Sequence, residues 1–326
     1  MGVLAAAAVL AACTSSPQRF GPSGTASVPD ILAAKHPANS SVRPDLHKSW
    51  MEPNVKGALL YIADAGVSDV FVYSWPALRL IGNLSGFKVP QDVCVDAAGN
   101  VWIVNTARSQ LLEYARGGLN PIATLDDPGQ YPVGCSIDET TGNLAVTNII
   151  SRQYGPGSLS IYKAAQGSPK VFSDPTFEKM YFDGYDDEGN LFVDGINNNG
   201  LFTIAKFDGK TFQPLTISGA TLNAPGAVVV KGSKIDVEDQ TGSSGSSVMY
   251  ETMLNGTTLT VVATAEFTDS VDCVGTYIAG KAKHQQAICP DAGTPSIYVY
   301  DYPAGGNPTK SVLTGLTEPE GAAITR

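Results

Sequence analysis

From residue 57 to the last residue, short apolar runs alternate with polar stops in a pattern that returns every 42 to 48 positions. Each return holds an apolar run, a glycine turn, a second apolar run, a polar stop and a third run that carries tyrosine. The turn glycines are Gly57, Gly99, Gly142, Gly189, Gly232 and Gly280, spaced by 42, 43, 47, 43 and 48 residues. In the second unit, Pro90-Gln91-Asp92-Val93-Cys94-Val95-Asp96 predicts an inner strand, Ala97-Ala98-Gly99-Asn100 a hairpin turn and Val101-Trp102-Ile103-Val104-Asn105 a second strand. Gln110-Leu111-Leu112-Glu113-Tyr114 predicts the third strand and Pro121-Ile122-Ala123-Thr124-Leu125 the outer fourth. Glycine and asparagine in the turn accept the positive φ that tight hairpins need. Later units repeat the order, with Leu144-Ala145-Val146-Thr147-Asn148 and Ser158-Leu159-Ser160-Ile161-Tyr162, then Leu191-Phe192-Val193-Asp194, Ile235-Asp236-Val237-Glu238 and Ser296-Ile297-Tyr298-Val299-Tyr300.

A period of this length made only of short strands predicts an all-β fold, a six-bladed β-propeller, because a four-stranded sheet cannot bury both faces until neighbours stack on it. Pro319-Glu320-Gly321-Ala322-Ala323-Ile324-Thr325 reads as an inner strand with no partner strands after it. Gly57-Ala58-Leu59-Leu60-Tyr61-Ile62-Ala63-Asp64 supplies them. The ring is therefore expected to close with N- and C-terminal strands sharing one blade, which removes open edges.

Composition agrees: 34 glycines, 21 prolines and 16% charged residues describe a turn-rich β protein and exclude disorder or coiled coil. The formal charge of −10 and the lack of a basic patch argue against nucleic acid as a partner.

The repeated blocks resemble NHL-repeat propellers, in which a proline-led inner strand, a D-x-x-G-N turn, an apolar strand ending in Asp or Asn, and a V-x-V-Y strand recur. The resemblance covers most of residues 57–326 and implies the fold, not an activity.

Residues 2–12 form a run of small and apolar side chains too short to span a bilayer, as in a secretory signal. The run ends at Leu10-Ala11-Ala12-Cys13, which resembles the lipobox of bacterial lipoproteins. That resemblance implies a signal peptide over 1–12, lipidation of Cys13 and an extracytoplasmic protein anchored in the cell envelope. Three acyl chains would hold stably where one is marginal, and Thr14 after Cys13 points to the outer membrane. Residues 13–56 are poor in large apolar side chains and read as a flexible tether. Trp50 and Met51 are the exception and are expected to dock on the propeller.

Acylation of Cys13 leaves four cysteines, an even set suited to an oxidising compartment. Cys94 and Cys135 sit in corresponding inner strands of consecutive units, which predicts one disulfide. Cys273 and Cys289 flank the turn of residues 279–283, and a hairpin centred on Lys281 sets them opposite each other, which predicts a second.

Chemistry must face the central channel or the loops at one end. Asp64, Asn105, Asn148, Asp194 and Glu238 end successive second strands and are read mainly as acceptors for neighbouring backbone N–H groups. Asp183-Gly184-Tyr185-Asp186-Asp187-Glu188 lacks the alternating spacing of a calcium loop and reads as a solvated turn. His36 and His47 precede the ring and His284 follows a turn, so no Ser-His-Asp arrangement assembles in the channel. Long insertions at residues 149–157 and 239–246 both lie between second and third strands. They should emerge on one end of the ring and bear binding residues, with Arg152 and Tyr154 the candidates.

The sequence thus reads as a non-catalytic binding or scaffolding module for a protein, peptide or carbohydrate of the cell envelope, with no cofactor and membrane contact only through the lipid anchor. The alternative is a metal-dependent lactonase or hydrolase. Glu320 in Pro319-Glu320-Gly321 resembles the first metal ligand of the gluconolactonase-type propellers, which implies one divalent ion held by Glu320 with Asn148 and Asp194.

Overall fold

The computed structural model describes residues 48–281 and 284–325. The signal-like segment, Cys13, His36 and His47 lie outside the described residues. The fold is all-β, a propeller-like ring of antiparallel sheets. The first sheet begins with β1 (Trp50–Met51), β2 (Leu59–Asp64), β3 (Asp69–Ser74) and β4 (Arg79–Leu84). The next two are β5 (Pro90–Val95), β6 (Val101–Asn105), β7 (Gln110–Tyr114) and β8 (Pro121–Asp126), then β9 (Gln130–Ile137), β10 (Leu144–Ser151), β11 (Ser158–Tyr162) and β12 (Lys170–Phe172). An eight-stranded sheet follows, from β13 (Lys179–Tyr185), β14 (Leu191–Ile196), β15 (Phe202–Phe207) and β16 (Phe212–Ser218) to β17 (Pro225–Lys231), β18 (Lys234–Asp239), β19 (Ser247–Asn255) and β20 (Thr258–Phe267). Its halves are each antiparallel and meet only where β16 runs parallel to β20, with Thr216 opposite Thr258. The last sheet is β21 (Tyr277–Lys281), β22 (His284–Asp291), β23 (Ser296–Tyr302) and β24 (Lys310–Val312).

The final strand, β25 (Pro319–Thr325), returns to the first sheet and pairs antiparallel with β2, Leu59 opposite Thr325 and Ala63 opposite Gly321. Innermost strands contact one another in the order β25, β5, β9, β13, β17, β21 and back to β25, so the ring closes. At the outer edge of the first sheet, β1 pairs with β4, Trp50 opposite Asn83, and Met51 packs its sulfur over Gly82.

Why each second strand reads as a continuous apolar run is visible in β2, whose six residues are all buried. Successive side chains point to opposite faces. Leu59, Tyr61 and Ala63 pack toward the second sheet with Val93, Val101 and Ile103, whereas Leu60 and Ile62 pack toward the last sheet with Ile288, Ile297 and Val299. The same division recurs around the ring, with Trp102, Val104, Leu144 and Val146 between the second and third sheets. The core is thus a set of apolar wedges between sheets.

A second recurring device is a register irregularity between first and second strands. It falls between Ala63 and Asp64, Pro90 and Asp92, Thr147 and Asn148, Met180 and Asp183, and Pro225 and Val228. A bulge leaves backbone unpaired and re-aims side chains, here turning Gln91 and Glu320 inward, each 2% exposed or less.

Both expected disulfides are present. Cys94–Cys135 joins the inner strands β5 and β9 with Cα atoms 5.9 Å apart, and Cys273–Cys289 spans 5.2 Å. The hairpin ahead of Cys289 turns later than the sequence pattern suggests: Gly280 lies within β21 opposite Gln285, and Lys281 pairs with His284. Cys273 still bridges Asp291, because the chain between Cys273 and Tyr277 slips one residue in register.

Deletion of residues 319–326 is expected to abolish cooperative thermal unfolding and the near-UV circular dichroism signal, since it strips the edge of β2. Replacing Cys94 and Cys135 with alanine is expected to remove about 4 kcal/mol, the loop-closure value for a span of 41 residues, read from the denaturant midpoint.

Candidate functional site

The polar stops of the second strands serve three different ends. Asp64 and Asn105 secure the segments that enter the ring. Asp64 accepts from the N–H groups of Gly66, Val67, Thr317 and Glu318 at 2.8–3.2 Å, and Asn105 Oδ1 accepts from Lys88 N at 2.7 Å. Asp239 and Asp291, which the sequence pattern did not single out, do the same for Asn223 and Ala224 and for Val271 and Asp272. Asp194 and Glu238 instead accept from N–H groups that the bulges set free, Phe182 N and Ala227 N, each at 2.9 Å. Asn148 donates to the hydroxyls of Ser158 and Ser160.

Along the axis this arrangement collects carboxyl groups without counter-charges. Asp92, Asp183, Asp194, Glu238 and Glu320 are all buried, and among the described residues none of the five pairs with a lysine, arginine or histidine. Burial disfavours the charged form. It pushes Asp92 up to about 8, against backbone bonds from Cys135 and Val93, and Glu238 up to about 8, against the Thr276 hydroxyl and Ala227 N. Asp183 rises to about 7 for the same reason, offset by its bond from the Ser136 hydroxyl. Burial raises Asp194 and Glu320 well above the ordinary carboxylate range too. Asp183 therefore does not belong to a solvated turn: it sits on the inward-facing strand β13 at 6% exposure, and only residues 186–188 form the turn.

Of the set implied by the lactonase resemblance, Glu320 feels Glu318, Asp272 and Asp64, whereas Asp194 feels Asp183 and Glu238. Asn148 Nδ2 is bonded to its two serines, while its Oδ1 is buried without a hydrogen-bond partner. Among the described residues, no three His, Cys, Asp or Glu side chains gather as a metal site.

At the end where the hairpin turns of the inner strands lie, the channel opens into a cavity of about 760 Å³ with Asp92, Asp183, Ser136, Tyr185 and the Cys94–Cys135 disulfide among its lining. The opposite end carries the insertions. There, a groove of about 530 Å³ lies between the third sheet and its neighbour. Its floor is Ile150 and Phe177, and Tyr154, Asp174, Glu178 and Asn198 stand around it. These residues come from three connections that share one end of the ring, two between second and third strands and one between sheets.

The Tyr154 loop is tightly held. Tyr154 adopts φ +59°, its N–H bonds Ser151 O at 2.9 Å, and Gly157 N bonds Glu178 O at 2.8 Å. Arg152 does not point into the groove. Its guanidinium donates to Ser109 Oγ at 2.7 Å and Ala107 O at 2.9 Å, and lies 4.7 Å from the centre of the Tyr131 ring. Arg152 thus ties the loop to the preceding sheet, while Tyr154 remains 63% exposed. Leu201, at the turn that supplies Asn198, is also exposed at 62%.

One solved structure, a chain in the crystal structure of a nidogen/laminin complex, superposes with a TM-score of 0.61 at 13% identity, over 83% of this chain and 99% of that one. A second, a protein of unknown function from Bacteroides caccae, superposes with a TM-score of 0.61 at 11% identity, over 83% of this chain and all of that one. Neither a protein-family model nor a curated protein matches the chain. The structural likeness establishes the fold, a β-propeller.

The axial acids fix the sign of the pH dependence. Their folded pKa values lie above the unfolded ones, so between about pH 4 and pH 8 the folded chain holds more protons than the unfolded chain, and stability falls as pH rises. The melting temperature is expected to be higher at pH 5 than at pH 8.5, and Asp183→Asn is expected to flatten that dependence in a calorimetric series.

Proposed function

We propose that this chain is a lipid-anchored, extracytoplasmic, six-bladed NHL-like propeller that acts as a binding or scaffolding module for a protein, peptide or carbohydrate of the cell envelope, rather than as a catalyst. The count of six takes the eight-stranded sheet as two blades joined through β16 and β20. The observation that carries the binding reading is the groove beside Tyr154. It offers an exposed aromatic ring on a loop already fixed by hydrogen bonds, an apolar floor, and carboxyl, amide and hydroxyl groups from the neighbouring connections. A prefixed loop loses little entropy on binding, and aromatic side chains concentrate binding energy. The structural likeness to a chain from a nidogen/laminin complex is consistent with a propeller that meets a macromolecular partner.

Anchoring rests on the Leu10-Ala11-Ala12-Cys13 motif. Cys13→Ser is expected to move the protein from the detergent-rich to the aqueous phase in a phase-partition assay. For binding, the purified chain would be titrated over arrays of envelope glycans and peptides. Tyr154→Ala is expected to weaken the bound class at least tenfold with the melting temperature unchanged, whereas Arg152→Ala is expected to weaken binding and lower the melting temperature together. Equal binding by Tyr154→Ala would remove the groove from the reading.

A further inference from the structure

The cavity on the far side of the ring from Tyr154 has on its floor a carboxyl oxygen that the fold leaves without a partner. Asp183 is only 6% exposed there. Its Oδ1 accepts from the Ser136 hydroxyl, and its Oδ2 is buried without a hydrogen-bond partner. The neighbouring Thr147 hydroxyl is engaged with Tyr181 O at 2.6 Å. Asp92 is close enough to feel the charge of Asp183, with its own oxygens receiving the N–H groups of Val93 and Cys135 at 2.8 and 2.9 Å.

We propose that this funnel is a binding site for a small alkylammonium compound, with its charged head on Asp183 and Asp92 and its hydrocarbon stem along the funnel wall. An ammonium group carries three N–H donors and no acceptor. Asp183 Oδ2, Asp92 and the Ser136 oxygen are acceptors within one patch. A hard divalent ion takes six or more oxygens, and two carboxyl groups and a hydroxyl would leave much of that shell to water. The wall above the floor is tyrosine, aliphatic side chains and the Cys94–Cys135 disulfide, suited to methylene groups, and the volume of about 760 Å³ falls in the range of small-ligand sites.

The charged groups that face the floor are few. Asp96 and Glu139 stand at the rim on the hairpins of β5 and β9, and Asp194 is close enough to feel the charge of Asp183. Lys231 and Lys281 line the opposite wall, and Lys231 Nζ donates to Ile278 O at 2.7 Å. Binding of a cation favours ionised Asp183, which burial holds near 7, so the ligand competes with a proton.

Titration calorimetry of the purified full chain, disulfides intact, with butylamine and with neutral 1-butanol tests the proposal. Butylamine is expected to bind and 1-butanol not, with affinity rising about tenfold from pH 6 to pH 8 as Asp183 ionises. Asp183→Asn is expected to reduce the affinity at least tenfold at pH 8 without lowering the melting temperature, while Tyr154→Ala leaves it unchanged. That control separates this site from the groove reading. Absence of butylamine binding, equal binding of 1-butanol, or affinity independent of pH would each overturn the proposal. Calcium binding abolished by Asp183→Asn without amine binding would do so as well. If Asp183→Asn fails to fold, the wild-type pH series decides alone.

Discussion

Burial of both faces of every sheet is the constraint on which the structure rests. A sheet in this ring has little solvent-facing inner surface on which to place polar residues, so its second strand is buried throughout and apolar up to its polar stop, as β2 is up to Asp64. Such a sheet is insoluble alone and gains its stability only when neighbours cover it on both sides. The apolar wedges between consecutive sheets make each sheet conditional on the next, and the pairing of β2 with β25 makes that condition circular.

The same geometry forces polar atoms toward the axis. Inner strands converge there, and glycine is needed where they nearly touch: a Cβ on Gly321 would lie 2.6 Å from Asp92, and one on Gly184 would lie 2.4 Å from Val228 O. Bulges at the start of the inner strands relieve the crowding but free backbone N–H groups in a buried place, where an unpaired donor is expensive. Asp194 and Glu238 answer that need with one oxygen each on Phe182 and Ala227. Their carboxyl groups are then buried as well, and a proton replaces the missing counter-charge. The electrostatics of the channel follow from backbone accounting.

Much of the fold is legible in the sequence because alternation and punctuation carry it. The second and third strands of the second unit, Val101–Asn105 and Gln110–Tyr114, fall where the pattern puts them, as does the shared sheet of residues 59–64 and 319–325. Bulges are not legible: the inner strands that slip, such as Pro90–Val95 and Lys179–Tyr185, mix polar and apolar residues, and a slip of one residue leaves no distinct mark in them. That is why Asp183 reads as part of a solvated acidic run, although β13 carries it to the axis while Asp186-Asp187-Glu188 continues into the turn. The parallel contact of β16 with β20 also escaped, because its strands are 42 residues apart at Thr216 and Thr258 and share no compositional signal. Tyr154 was identified by its place in a long loop, but the burial of its neighbours Ile150 and Phe177 needed three-dimensional contacts. The opposite fate of Arg152 turned on Ser109 and Ala107, more than forty positions earlier in the chain.

Pairing of β2 with β25 also sets a timetable. Leu59 emerges early in synthesis and its partner Thr325 comes 266 residues later, so β2 keeps an unpaired edge until the last strand arrives. Loop-closure entropy grows only slowly with length, but contacts this distant slow folding. Over that whole stretch of synthesis the nascent chain is an open arc with one adhesive edge, and protection of that edge falls to whatever handles the chain until Thr325 is made.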